Sequence, residues 1–414
     1  MSSNIKTTSR TLLQVSLLML FLSGCSSYNP LDLFSFLDKE EEDIKEPAIL
    51  FPFDEEVTLT RLWSQKIGRG AEDKAIKLVP AYTGSRVFAA AADGKVKAFD
   101  ASNGRVIWEI NIKDFYSSSE QKVSFSKAAD SITGGVGVGE DLVLVGSSAG
   151  ELVAMNQSDG SLAWRAVMTS EILSPPQARN NLVAAQTIDG KVSGFNALDG
   201  TRLWQYQTNV PSLTLRGTST LIMGDLIIAG FSNGRIAGLD PIRGLAKVDQ
   251  RIAAATGKSD LEKLIDIDGT MIQEASRLFV ASYQGNLVSI DLSQNGRITW
   301  AKETSSVVGL GSGFGNVYLA NEDSIINAYA MDQGSDVWET EALLYRNITT
   351  PVAVSSYVVT GDFDGYLHLI AQSDGRFVGR KVIDKSGFSS SPVVDGTRIY
   401  VMGNGGQLTA LEIR

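Results

Sequence analysis

Two chemically versatile residue types are nearly missing from this chain of 414 residues, which holds one cysteine and one histidine. A lone cysteine, Cys25, excludes an internal disulfide framework. A lone histidine, His368, excludes a multi-histidine metal centre and leaves little material for a Ser-His-Asp triad. It lies in the strand-like run YLHLIA and is read as a hydrogen-bonded strand residue. Cations are also short: 37 Lys and Arg stand against 47 Asp and Glu, for a net charge of −10. Phosphate backbones are bound through Lys and Arg patches, so no nucleic-acid partner is expected. Beyond the first two dozen residues, no apolar run approaches the roughly 18 residues that span a bilayer. What is plentiful is glycine, at 40 residues, within a chain that is 43 % apolar. That combination suits an all-β fold with many tight turns around a large core.

The N-terminal residues read as an export signal. Lys6 and Arg10 precede the apolar run from Leu12 to Leu22, which is short for a membrane span. Leu22-Ser23-Gly24-Cys25 resembles the lipobox of bacterial lipoproteins, in which the cysteine is lipid-modified and becomes the mature N-terminus. The resemblance implies cleavage of residues 1–24 and lipidation of Cys25. Ser26, rather than Asp, follows it, which resembles the pattern for export to the outer membrane of Gram-negative bacteria. Several acyl chains on one residue would satisfy the two-signal rule for stable anchoring. Residues 25–56 lack any repeat, carry the acidic run from Asp38 to Asp43, and are read as a flexible tether.

From residue 57 the chain repeats itself. DGKVKAFDASNGRVIW, from Asp93 to Trp108, returns as DGKVSGFNALDGTRLW from Asp189 to Trp204. Looser copies end at Trp164, Trp300 and Trp338, and two more keep the glycines but end at Val248 and Gly379. Each copy reads as strands separated by Asp-Gly or Asn-Gly turns, the strongest short-range hairpin signal, with φ > 0 expected at both turn positions. A further strand ahead of each copy, near Leu78 to Tyr82 in the first, makes four per unit. The first glycines fall at Gly94, Gly150, Gly190, Gly234, Gly285, Gly365 and Gly406, with Ser324 in the remaining slot. A period near 40 residues, eight units and four strands per unit predict an eight-bladed β-propeller over 57–414. Two spacings are long. They mark a polar insertion at 113–130 and a second at 253–268, where TGKSDLEKLID reads as a short helix capped by Ser259 or Asp260.

The last unit stops at Arg414 without an outer strand, while residues 57–67 form an orphan strand with a tryptophan. Ring closure solves both problems: the N-terminal strand completes the C-terminal blade. All six tryptophans, Trp63, Trp108, Trp164, Trp204, Trp300 and Trp338, then occupy one position of the repeat. A large ring there can cover a neighbouring blade, burying about 150–250 Å², with its N–H free to reach a carbonyl. The set is read as structural.

The cadence of Asp, Gly and Trp resembles the tryptophan-docking repeat of pyrroloquinoline-quinone (PQQ) enzyme propellers. With the lipobox and tether added, the whole chain resembles the BamB family, the lipoprotein propellers of the outer-membrane β-barrel assembly machinery. VPSLTLRGTS (Val210 to Ser219) and LIDIDGT (Leu264 to Thr270) are its most diagnostic stretches. The resemblance implies a non-enzymatic scaffold on the periplasmic face of the outer membrane, without cofactor or metal. It further implies that Leu213, Leu215, Arg216, Asp266 and Asp268 contact the barrel-forming subunit BamA, and that unfolded outer-membrane protein clients are further partners. Read from the residues alone, Leu213 and Leu215 fit strand alternation with both facing the core.

Other chemistries lack their parts. Asp266-Ile267-Asp268-Gly269 resembles the start of a calcium loop, but no further ligand follows at the required spacing. Gly134 to Gly139 lacks the Lys-Ser/Thr of a phosphate loop and is read as a loop leading into a strand. Asn347-Ile348-Thr349 matches a glycosylation acceptor, a motif of low specificity. Quinone enzymes of the propeller class resemble this chain in repeat but carry an adjacent cysteine pair and calcium ligands. With one cysteine, the chain departs from them.

Overall fold

The computed structural model describes residues 45–71, 74–116, 131–254 and 258–414. The signal segment, Cys25 and most of the tether lie outside these, as do residues 117–130 of the first insertion. Among the described residues, the strands form eight four-stranded sheets, each antiparallel and each pairing its strands in sequence order except one. The exception is the closing sheet. Its outermost strand is Leu59–Lys66, paired antiparallel with Gln407–Ile413 from Leu59 opposite Ile413 to Lys66 opposite Gln407. Thr58 and Arg414 exchange both backbone hydrogen bonds, at 2.9 and 3.0 Å. The two ends of the chain are thus stitched into one blade, and no sheet edge is left at a seam. The ring is complete within the compact unit Pro47–Arg414. Blades are numbered here from Ala81–Tyr82 (blade one) to the closing sheet (blade eight).

The six tryptophans explain how blades stack. Each indole N–H donates to a backbone carbonyl of the next blade: Trp63 to Ala101, Trp108 to Gln157, Trp164 to Ala197, Trp204 to Pro241, Trp300 to Met331 and Trp338 to Gln372, all at 2.8–3.0 Å. Three residues beyond each carbonyl stands a glycine against the ring: Gly104, Gly160, Gly200, Gly244, Gly334 and Gly375. Gly104 shows why no other residue serves. Its φ is +73°, and a Cβ there would lie 2.6 Å from the Trp63 ring. Blade four lacks the tryptophan, and Val248 packs on Gly296 instead. The hydrophobic clusters accordingly run between blades. One joins Trp63, Tyr400 and Leu408 of blade eight to Val87 and Phe99 of blade one, so the two ends of the sequence share a core.

Four local expectations change. Asn103 keeps negative φ while Gly104 alone is left-handed, because the turn carries a bulge between Ala98 and Phe99 rather than a two-residue hairpin loop. The glycine-rich stretch is not a loop: Ile132–Gly139 is the innermost strand of blade two. Its glycines are required by crowding, since a Cβ on Gly137 would overlap the Pro176 carbonyl. In the second insertion, the described residues 258–263 form turns rather than a helix. The capping hydrogen bonds do form: Ser259 Oγ accepts from the Glu262 N–H at 3.2 Å, and the Glu262 carboxylate accepts from the Ser259 N–H at 3.2 Å. No apolar periodicity follows to extend them.

The fourth change concerns the tether. Residues 47–56 belong to the compact unit and lie along blade seven. Ala48 O accepts from Arg346 and Phe51 O from Arg380. Phe51 and Phe53 pack on Phe377, with the Arg380 guanidinium over all three rings at 4.9–5.6 Å. Glu56 closes the strap with two hydrogen bonds of 3.0 Å to Arg376. Aromatic spacing at 51 and 53 was the available signal, hidden by the prolines and acids around it.

Candidate functional site

In an up-and-down blade, successive connections alternate between the two faces of the ring. The links from one blade to the next therefore share a face with the turns between second and third strands. The link from blade three to blade four holds Leu213, Leu215 and Arg216. The link from blade four to blade five holds Asp266 and Asp268. The structure brings all five expected residues to one corner of this face.

Their roles divide. Leu213 is 45 % exposed and points away from the core. Leu215 is half-buried, and its N–H donates to the carboxylate of Asp266. Asp266 itself is 1 % exposed. This corrects the expectation that the acidic pair faces a partner: Asp266 is an internal clamp on the 213–217 link. Asp268 lines the mouth of the central channel, and Gly217 is packed against it so closely that a Cβ would lie 2.6 Å from its carboxyl carbon. Arg216 is exposed but reaches across the mouth, donating to Ala75 O and to Glu171 Oε1, each at 2.6 Å.

Two residues outside the expected set complete the corner. Lys77, leading into blade one, spans the channel to donate to Val307 O at 2.9 Å. Solvent reaches it along the axis although protein surrounds it, and that burial lowers its pKa. Glu171, mostly buried, anchors Arg216. The cavity they frame encloses about 80 Å³ and is also lined by Thr218, Thr270 and Thr350 and by the aliphatic Ile76 and Leu173. A signal for Lys77 existed. In the segments leading into the inner strands, residues are mostly Ser, Thr, Pro and Gly, and a lysine there stands out.

Burial raises both carboxyls. Asp266 is pushed up from 3.8 to about 7, by desolvation first and by the nearby Asp268 second. Asp268 is pushed up to about 6 by burial, with Lys77 pulling it back. One oxygen of each is buried without a hydrogen-bond partner. The folded state therefore holds protons that the unfolded state has released, and stability falls as pH rises from about 4 to about 7, then levels. Asp266→Asn is expected to flatten that decline, measured as melting temperature between pH 5 and pH 8. An equally steep decline in the variant contradicts the assignment.

No group of ligands able to hold a metal occurs among the described residues. His368 is fully buried in blade seven, 3.0 Å from Asp362, and accepts from Arg380 Nε on its other nitrogen. Burial lowers its pKa, so it stays neutral. It is a satisfied strand residue, as read from the sequence.

With this geometry in place, the comparisons are decisive. A family model described as outer membrane protein assembly factor BamB matches residues 50–124, 92–340 and 322–414. The outer membrane protein assembly factor BamB of Pseudomonas aeruginosa is 39 % identical over 398 residues, 96 % of this chain and 97 % of the relative. The crystal structure of BamB from Moraxella catarrhalis superposes with a TM-score of 0.75 at 27 % identity, covering 86 % of this chain and 99 % of that one. A quinohemoprotein alcohol dehydrogenase from Comamonas testosteroni shares the fold alone, with a TM-score of 0.65 at 15 % identity over 86 % of this chain and 76 % of that one. The enzymes are thus relatives in architecture, while identity along nearly the whole length runs to assembly factors, and the chain belongs to the BamB family of outer membrane protein assembly factors.

Proposed function

We propose that this propeller is a non-enzymatic scaffold of the outer-membrane β-barrel assembly machinery. Lipid on Cys25 holds it at the periplasmic face of the outer membrane. The corner between blades three and five docks the barrel-forming subunit BamA and so assists insertion of β-barrel proteins. The observation that carries this is the exposed Leu213 beside Arg216, on a link clamped from behind by Asp266. An apolar side chain presented on a rigid loop and flanked by a guanidinium has the make-up of an interface anchor. Asp266 and Asp268 act indirectly, by fixing the loop. Unfolded clients could also add as a strand to exposed blade edges, a second route that uses the same ring.

The test is affinity purification from detergent-solubilised envelopes. Wild type is expected to bring down a β-barrel subunit. Leu213→Asp and Arg216→Ala are expected to lose at least tenfold of it with unchanged melting temperatures. No β-barrel partner with the wild type refutes the proposal.

A further inference from the structure

The turns that join the third strand to the fourth are built alike in blades one to four, six and seven, and that of blade five is one residue longer, so each serves as a control for the others. In blades one, three, four and five the turn opens on Asp100, Asn196, Asp240 or Asp291, whose side chain accepts the N–H two residues on, at 2.9–3.0 Å. The residue at that position is Ser102, Ser158, Ser293, Asp332 or Ser373 in five of the turns, and Ser102 and Ser293 donate the same bond. In the adjacent blades three and four it is Leu198 and Ile242. The backbone geometry is met equally by serine, so the turn does not select these aliphatic side chains. Nor does packing, since Leu198 is 79 % and Ile242 83 % exposed.

Two more apolar residues sit beside them. Leu203, on the outer strand of blade three, and Leu245, just before the outer strand of blade four, are 53 % and 54 % exposed. The hydrogen bond from Trp204 to Pro241 joins the strand that carries Leu203 to the turn that carries Ile242. Exposed apolar groups gathered in one place mark an interaction surface. This one lies on the face opposite the docking corner.

The surroundings indicate what it meets. Arg202, Arg243 and Lys247 are exposed among the leucines. The acidic neighbours, Asp199 and Asp240, have oxygens committed to N–H groups of their own turns. Those hydrogen bonds favour the charged carboxylate, so three cations stand against two anions and the patch carries one positive charge in excess, on a chain whose net charge is −10. Leu198 and Ile242 stand in the turns themselves. Protruding aliphatic tips ringed by Arg and Lys match the interface of an anionic bilayer, where tips enter the acyl boundary and cations meet headgroup phosphates.

We propose that the rim formed by Leu198, Leu203, Ile242 and Leu245 rests on an anionic phospholipid surface. This goes beyond the docking reading and uses none of its residues. The compact unit Pro47–Arg414, closed by its own strands and free of Cys25, is mixed with vesicles of phosphatidylglycerol and phosphatidylethanolamine, and with vesicles of phosphatidylcholine alone. Flotation of the wild type is expected with the anionic vesicles and to fall about tenfold with phosphatidylcholine. A Leu198→Ser/Ile242→Ser double variant restores the residue carried by most other blades, so it is expected to fold and melt as wild type while losing about tenfold of the anionic binding. Equal flotation of wild type and variant overturns the proposal. So does a wild-type dimer in sedimentation that the variant loses, which would make the patch a contact between copies.

Discussion

Trp63→Ala is expected to destabilise the propeller by about 3–5 kcal/mol, the range for truncating a large buried aromatic. The residue sits where the ring closes. Its indole lies 6.0 Å from both Phe99 and Tyr400 and donates to Ala101 O at 3.0 Å. Phe99 and Ala101 belong to blade one and Tyr400 to blade eight, so one side chain joins sequence segments from the two ends of the chain. Its loss opens a cavity against Gly104, where no side chain can grow to fill it. Trp63→Phe separates the contributions: it keeps most of the ring contact and loses the N–H, for about 1 kcal/mol in hydrogen bonding. Equilibrium urea unfolding measures both. If alanine costs under 1 kcal/mol, the closing strand is peripheral and the ring account fails.

A second large effect is expected at Arg346. This guanidinium, on the link leading into blade seven, is buried and donates to Asp362 at 2.8 Å, to Asp364 at 2.7 Å and to Ala48 O at 3.1 Å. Asp362 is itself fully buried. Burial pushes its carboxyl up, but the hydrogen bonds from His368, the Tyr366 N–H and Arg346 together hold it below the usual range. Arg346→Ala leaves that carboxylate without its cation, a change that costs about 3–5 kcal/mol when one member of a buried pair is removed. It also detaches the strap at Ala48. The expected result is a lower urea midpoint together with faster proteolysis between residues 47 and 56. Arg346→Lys retains a charge but not the three-way fork, and is expected to fall between. An unchanged midpoint for Arg346→Ala would show the network to be dispensable.

Much of the architecture could be read from residues because the repeat reports on itself. Trp63 was assignable to the same position as the other five tryptophans, and the pairing of Leu59–Lys66 with Gln407–Ile413 follows. What could not be read was direction. Leu213 and Leu215 alternate as strand residues do, yet one is exposed and the other half-buried, because the link hangs on a side-chain clamp rather than a sheet ladder. Asp266 looks like a surface acid in sequence. Only the packing of two inter-blade links over it shows that it is internal. The helix expected near Ser259 had its cap but no apolar face to bury. Residues 47–56 looked like spacer because their anchors, Arg346, Arg376 and Arg380, lie some three hundred residues away, beyond the reach of local pattern.

The central claim is that one corner of one face docks the barrel-forming subunit. A photo-crosslinking amino acid placed at position 213 in living cells tests it most directly, with position 314 as the control. Phe314 is 69 % exposed on the opposite face. The account predicts a crosslink from 213 to an outer-membrane β-barrel protein and none from 314. A crosslink to that protein from 314, with none from 213, would contradict it.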